Sequence, residues 1–339
     1  MTNQEYRIKP GAGLEALQPG PAETKPLAPG QVRIAVRAVA LNGRDLLIAR
    51  GLYPVPHARP IVLCSDGAGV VTEAGSGAGF AVGDRVVGSF FRAWHDGPAT
   101  PEAVATSYGC EVDGWLAREV VIDGEALVRI PDGLSFAEAA SAPCAGVTAW
   151  NALLEAGQLR SGSTLLVQGT GGVAAWAVQI AAAAGIRTIS TSSSDEKLAK
   201  FRTLGASHAI NYVAKPDWSD EAVRLTEGRG VDLVLELGGQ ATIQQSLRAV
   251  RFGGRIAVVG GLSGWQYDDI PPLTVATRQL TLTGIHVGNR RMLESLLGFV
   301  AEHRIQPLVS KAFGFEAAQD AFVEFDKARH VGKVVIGID

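Results

Sequence analysis

The stretch LLVQGTGGVAAWAVQIAAAAG, residues 165–185, constrains this chain more than any other. A short apolar run ends in Gly169-x-Gly171-x-x-Ala174 and passes straight into an alanine-rich helical run. Gly169 permits a tight turn, Gly171 lets the backbone come close to a pyrophosphate, and Ala174 lets the helix pack on the strand. The helix start offers free N–H groups and the positive end of its dipole to phosphate. The flanking sequence supplies the context such a loop needs. TLLVQG, RTIST, HAINY, VDLVLELGG, GRIAVVGG and LTLTGIHV read as strands with helical runs between them, which predicts a parallel sheet covered on both faces. The loop therefore predicts a dinucleotide-binding unit over residues 131–287.

Before residue 131 the pattern differs. QVRIAVRAV puts Val32, Ile34 and Val36 on one face, and Gly and Pro punctuate short segments such as RGLYPVP, EAGSGAG and IPDG. Short strands with frequent turns predict a barrel or sandwich. Residues 92–113, with Pro98 and Pro101, read as a surface excursion. From about Asn289 the tail carries two helical runs and a last strand, GKVVIGI. Residues 1–130 and 288–339 thus group as a second domain.

With 339 residues, 47% hydrophobic and 19% charged, the chain has enough apolar sequence for two cores. A formal charge of −3 and the lack of a basic, aromatic-rich patch argue against nucleic acid as a partner. No apolar run is long enough to span a membrane, and the polar N-terminus does not read as a signal peptide. Three scattered cysteines, Cys64, Cys110 and Cys144, do not form a disulfide framework and fit the cytoplasm.

The second strand of the αβ unit ends in TSSSDEK, residues 191–197. A unit of this kind that binds NAD carries an acid there, on the ribose 2′-OH. Here Ser192 stands at the strand end, and Lys197 follows one turn into the next helix. A hydroxyl donor and an ammonium suit a 2′-phosphate, so NADP(H) is favoured over NAD(H). Two other readings of these residues stand beside this one. Ser193-x-x-Glu196 forms a capping box, or Asp195 reaches back to an NAD ribose.

LNGRDLLIARGLYP, SDGAGVV, VGDRVVG, APCAGVTAW, VQGTGGVA, SSSDEKLAKFRTLGASHAINY, VDLVLELGG and GGRIAVVGG together resemble the medium-chain dehydrogenase/reductase superfamily, over nearly the whole chain. They look most like its quinone oxidoreductase-like and zinc-type alcohol dehydrogenase-like members. The resemblance implies an α/β protein with a Rossmann parallel-sheet cofactor domain. Beside it would stand a GroES-like β-barrel catalytic domain closed by the chain's tail. It also implies a homodimer in which strands such as LTLTGIHV pair across subunits. For the cofactor it implies Gly169, Gly171, Gly172 and Val173 at the pyrophosphate, and Ser192, Lys197 and Tyr212 at the adenosine end. Gly260 and Val287 are implied at the nicotinamide, and Lys333 at a phosphate.

The departures from the family bear on chemistry. Zinc-dependent members carry Cys where this chain has Asn42 and His-Glu where it has Ser65-Asp66; only Cys144 keeps a ligand type. Zinc needs three protein ligands and an open position, so no metal is expected. His57 and His95 read as turn residues, and Cys144 as a small buried residue beside the cofactor. Without a Lewis acid, a conjugated carbonyl or quinone is the easier hydride acceptor, because the charge it gains is delocalised. The expectation is a zinc-independent, NADPH-dependent oxidoreductase acting on a small quinone, enone or other carbonyl. An alcohol dehydrogenase or carbonyl reductase with an atypical metal site is the alternative, and a catalytically silent NADPH-binding structural or sensor protein is another. By resemblance, Asn42 and Tyr53 are the catalytic candidates. Tyr53 either orients a carbonyl or supplies a proton, or else packs on the barrel as a turn tyrosine. Gly43 widens the pocket, Asp45 braces the loop, and Trp94 lines the pocket or is an ordinary loop aromatic.

Overall fold

The computed structural model describes residues 3–56, 58–266 and 270–339. It forms two compact units, one of Met1–Val147 with Val287–Asp339 and one of Thr148–His286. The first seam was expected after residue 130. Residues 131–147 instead belong with the first unit, because helix Phe136–Ala140 packs on strands Gln31–Ala40, Asp66–Ala74 and Lys333–Gly337. Val287 also falls in the first unit.

The second unit is built on six parallel strands in the order His208–Asn211, Arg187–Ser192, Thr164–Gln168, Val231–Glu236, Val250–Val258 and Thr281–Gly284. Numbered along the chain, that order is 3-2-1-4-5-6, the Rossmann arrangement. The strands fit this place because their apolar residues fall in register. Ile189, Leu166, Val234, Ile256 and Leu282 form one row across five strands. Trp218, Ile243 and Leu247 from the covering helices close over the same core. Each fully buried aliphatic chain of this row contributes about 1.5–3 kcal/mol.

The first unit carries a mainly antiparallel sheet ordered Val309–Gly314, Lys333–Gly337, Gln31–Ala40, Asp66–Ala74, Arg85–Gly88 and Leu127–Arg129. Val32, Ile34 and Val36 alternate into its core and are fully buried. The tail strand Lys333–Gly337 pairs directly with Gln31–Ala40. Trp115 is fully buried in a slot between strands, and a Cβ added at Gly67 or Gly88 would stand 2.3 or 2.2 Å from its ring. Only glycine leaves room for that indole.

The expected surface excursion at 92–113 is partly internal. Trp94, Tyr108 and Cys110 are buried, and the Arg44 guanidinium donates to Ser107 Oγ at 2.6 Å and to the Tyr108 carbonyl. Proline and small polar residues masked these anchors in the sequence. Among the described residues no helix is long and apolar enough to cross a membrane.

Candidate functional site

The glycine loop has the geometry its sequence requires. Gly169 sits at φ +72°, the left-handed region, and its N–H donates to Thr191 O at 2.9 Å on the neighbouring strand. Gly171 is the exposed N-cap of helix Gly172–Ala183, and no atom lies within 4 Å of where its Cβ would stand. Gly172 and Val173 follow, half-buried, in the first turn, and Ala174 is fully buried against the sheet. The N-cap has no side chain to occupy the first N–H groups, so they suit a pyrophosphate.

The serine corner forms beside the loop. Ser192 is buried at the end of its strand, and its carbonyl accepts the Tyr212 N–H at 3.0 Å. Lys197 stands in the first turn of helix Asp195–Thr203, half-buried, and Tyr212 is 42% exposed at the end of the adjacent strand. The cap is Ser194, which accepts from the Lys197 N–H at 3.3 Å, rather than the Ser193–Glu196 pair. Asp195 is exposed and accepts from Asn211 Nδ2 at 3.0 Å through one carboxylate oxygen. Gly260 follows strand Val250–Val258, where a Cβ would stand 2.8 Å from the Leu237 carbonyl. Val287, in the other unit, is a buried β-branched residue at φ +54°, a strained conformation.

One group in this unit escaped the sequence reading. The fully buried Glu236 carboxylate accepts from five donors: Gln168 Nε2, Ser246 Oγ, Thr242 Oγ1 and the Gly238 and Gly239 N–H groups. Gln168 also accepts from the Leu237 and Gly238 N–H groups. The hub therefore fixes the residue that immediately precedes Gly169. Its only sequence signal is an acid closing an apolar strand, VDLVLE.

The first unit holds a second polar corner. Lys333 was expected at a phosphate, but it is 2% exposed and donates to Leu41 O and Asn42 Oδ1, both at 2.7 Å. Its Nζ lies 3.7 Å from Asp66 Oδ2. Asn42 Nδ2 donates to Ser65 Oγ at 3.4 Å, and Ser65 donates to Asp66 Oδ1 at 2.6 Å. The Cys144 N–H donates to Asp66 Oδ2 at 3.2 Å. Tyr53 is half-buried against the same unit's core. Burial raises its phenol pKa, and Arg44 opposes this. The phenol stays a proton donor at neutral pH. Trp94 is a buried packing residue, with its indole N–H on Gly97 O at 3.0 Å and its ring against Phe91. His95 binds the Arg92 carbonyl, and His57 lies outside the described residues.

Asp45 does brace the loop, accepting the Asn42 N–H at 2.8 Å through Oδ2. It is fully buried, and burial pushes its carboxyl up to about 6. The folded chain therefore holds this proton more tightly than the unfolded chain. Stability falls as pH rises from about 4 to about 6, by about 3 kcal/mol in total. Asp45→Asn should remove that slope from the unfolding free energy. A slope identical to wild type would assign it to another group.

Some members of the family carry a catalytic zinc, but the donor set here fits one poorly. Asn42 Oδ1 already accepts from an ammonium, and the Ser65 proton is committed to Asp66. Of the family's ligand positions only Cys144 offers a thiol, one donor of the three a catalytic zinc needs. Among the described residues no cluster of three His, Cys, Asp or Glu side chains is arranged to hold a metal ion.

Comparisons with known proteins identify the family of the two units. Residues 28–132 match the alcohol dehydrogenase GroES-like domain and residues 172–302 the zinc-binding dehydrogenase family. A zinc-type alcohol dehydrogenase-like protein of Schizosaccharomyces pombe is 39% identical over 97% of both chains. An acryloyl-coenzyme A reductase of Metallosphaera sedula is 30% identical, over 91% of this chain and 92% of that one. The solved structure of an NAD-dependent alcohol dehydrogenase superposes with a TM-score of 0.89 at 32% identity, covering 99% of this chain and 100% of the other. The glycine loop, the 3-2-1-4-5-6 sheet and these end-to-end likenesses make the chain an oxidoreductase that belongs to the medium-chain dehydrogenase/reductase superfamily.

Proposed function

We propose that this chain is a zinc-independent, NADPH-dependent reductase of a small conjugated carbonyl, an enone or quinone. The observation that carries the reading is the Lys333–Asn42–Ser65–Asp66 network, standing where zinc-dependent members keep ligands. It offers hydrogen-bond donors and an internal cation in place of a Lewis acid. The cofactor, when bound, supplies the hydride. Asn42 donates from its amide nitrogen to the carbonyl oxygen as negative charge grows there, and the substrate is left as a delocalised enolate or quinol anion. Tyr53, a half-buried phenol that is protonated at neutral pH, is the proposed proton source. The acryloyl-coenzyme A reductase likeness supports a C=C bond conjugated to a carbonyl as the reducible group.

Ser192 and Lys197 favour the phosphorylated cofactor. The free thiols favour the cytoplasm. Strand Thr281–Gly284, at the end of the parallel sheet, favours a homodimer that light scattering would read as twice the chain mass. The deciding experiment follows NADPH and NADH oxidation with an enone and quinone panel, before and after chelator treatment. Turnover should survive chelation and prefer NADPH. Ser192→Asp should reverse the preference, weakening NADPH by about 10- to 100-fold through charge repulsion. Loss of turnover on chelation with recovery on zinc, or an unchanged preference in Ser192→Asp, would overturn the reading.

A further inference from the structure

Lys333, Asn42, Ser65 and Asp66 form a ring of three hydrogen bonds closed by an ion pair, and the hydrogen bonds can run in one direction only. Lysine has donors and no acceptor, so the Asn42 atom at 2.7 Å from Nζ is the amide oxygen. The amide nitrogen then faces Ser65, and the serine hydroxyl, having accepted there, gives its own hydrogen to Asp66. Asp66 accepts only, and its second oxygen faces Lys333 at 3.7 Å and the Cys144 N–H at 3.2 Å. All four residues are buried. An ammonium at one end and a carboxylate at the other leave no alternative orientation for the amide or the hydroxyl between them.

We propose that Lys333 is a positioning residue for carbonyl reduction, an inference that rests on the function proposed above. It holds Asn42 Oδ1, so the amide presents only nitrogen to the substrate side. Ser65 takes at most one of the two N–H groups, and the other is left for the substrate oxygen. The same ammonium draws electron density through the amide and strengthens that donation as the oxygen becomes negative. Asp66 holds the ammonium in place, and Ser65 fixes the tilt of the amide. The internal cation thus acts on the substrate through Asn42 without touching it.

Two variants with different failure modes test this. Asn42→Asp keeps the ammonium partnered but replaces the donor with an acceptor-only group. The added carboxylate shares one ammonium with Asp66, so a thermal melt first confirms the fold; in the folded variant kcat falls about 100-fold or more with NADPH affinity unchanged. Lys333→Met combined with Asp66→Asn removes both charges together, so no buried charge is left unpaired. It should fold and bind NADPH as wild type does, yet lose at least 10-fold in kcat. Adding Asn42→Ala to that pair should then cost much less than Asn42→Ala costs in wild type. Wild-type kcat in Asn42→Asp, or in the charge-free double variant, would overturn the inference, as would full additivity with Asn42→Ala. If the double variant does not fold, Lys333→Gln combined with Asp66→Asn takes its place with the same expected loss in kcat, because a neutral amide does not polarise Asn42 as the ammonium does. Wild-type protein that oxidises no NADPH with any conjugated carbonyl would instead sink the underlying function, a result separate from these.

Discussion

Gly171→Val should leave the protein folded and raise the dissociation constant for NADPH by at least about 100-fold, about 3 kcal/mol. The two halves of this expectation rest on separate observations. Gly171 has an extended backbone, φ −77° and ψ −169°, which valine adopts readily, and nothing occupies the space its Cβ would enter. Valine is the poorer N-cap, so stability should fall by about 1 kcal/mol, which leaves the protein folded. The empty space is the approach a pyrophosphate needs, so the isopropyl group displaces the ligand and not the protein. Calorimetric titration with NADPH, beside a thermal melt, reads both halves. Retained affinity would remove this loop from cofactor binding. Gly169 forms the contrast: at φ +72°, a valine there strains the backbone even without ligand.

The second large effect lies at Glu236. Glu236→Leu removes an acceptor shared by five donors in a buried site: the Gly238 N–H, Thr242 Oγ1 and Gln168 Nε2 keep second acceptors, whereas the Gly239 N–H and the Ser246 hydroxyl are stranded. Each unsatisfied buried donor costs about 1–3 kcal/mol, and even with partial rearrangement the loss should exceed about 4 kcal/mol. Glu236→Gln, of the same shape, keeps one acceptor and turns the other into a donor facing donors, so it should fall between leucine and wild type. Urea unfolding measures the loss. Amide exchange at Gly238 and Gly239 localises it, because their N–H groups end on this carboxylate. A change below about 1 kcal/mol in Glu236→Leu would show that the hub is not a structural centre.

Local patterns carried the architecture. The alternation of Val32, Ile34 and Val36, the apolar strands from Thr164 onward and the glycine spacing each report on neighbours a few residues away, and the structure places all of them as read. The serine corner was legible for the same reason, since Ser192 and Tyr212 end adjacent parallel strands. What stayed hidden depends on partners far along the chain. Lys333 before a strand has the look of a solvated or phosphate-seeking lysine. Only the pairing of Lys333–Gly337 with Gln31–Ala40 carries it to Asn42, 291 positions away. Glu236 draws four of its donors from the ten residues that follow it, but the fifth, Gln168, is 68 positions away, and that link to the glycine loop was not legible. The capping serine was misplaced by one position, Ser194 for Ser193, since three consecutive serines satisfy nearly the same local pattern.

The pairing of the tail strand with Gln31–Ala40 also governs when this protein becomes competent during its own synthesis. The ribosome releases residues 148–286 as an unbroken stretch that can collapse on its own, whereas the unit begun by residue 1 stays incomplete until residue 333 emerges. Until then Asp66 waits without its counter-charge and Ala38, Val39 and Ala40 keep a naked edge. A nascent chain halted short of that lysine would hold a finished nucleotide fold attached to an unfinished partner, exposed to chaperones and proteases at the very strand on which the reactive corner is later assembled.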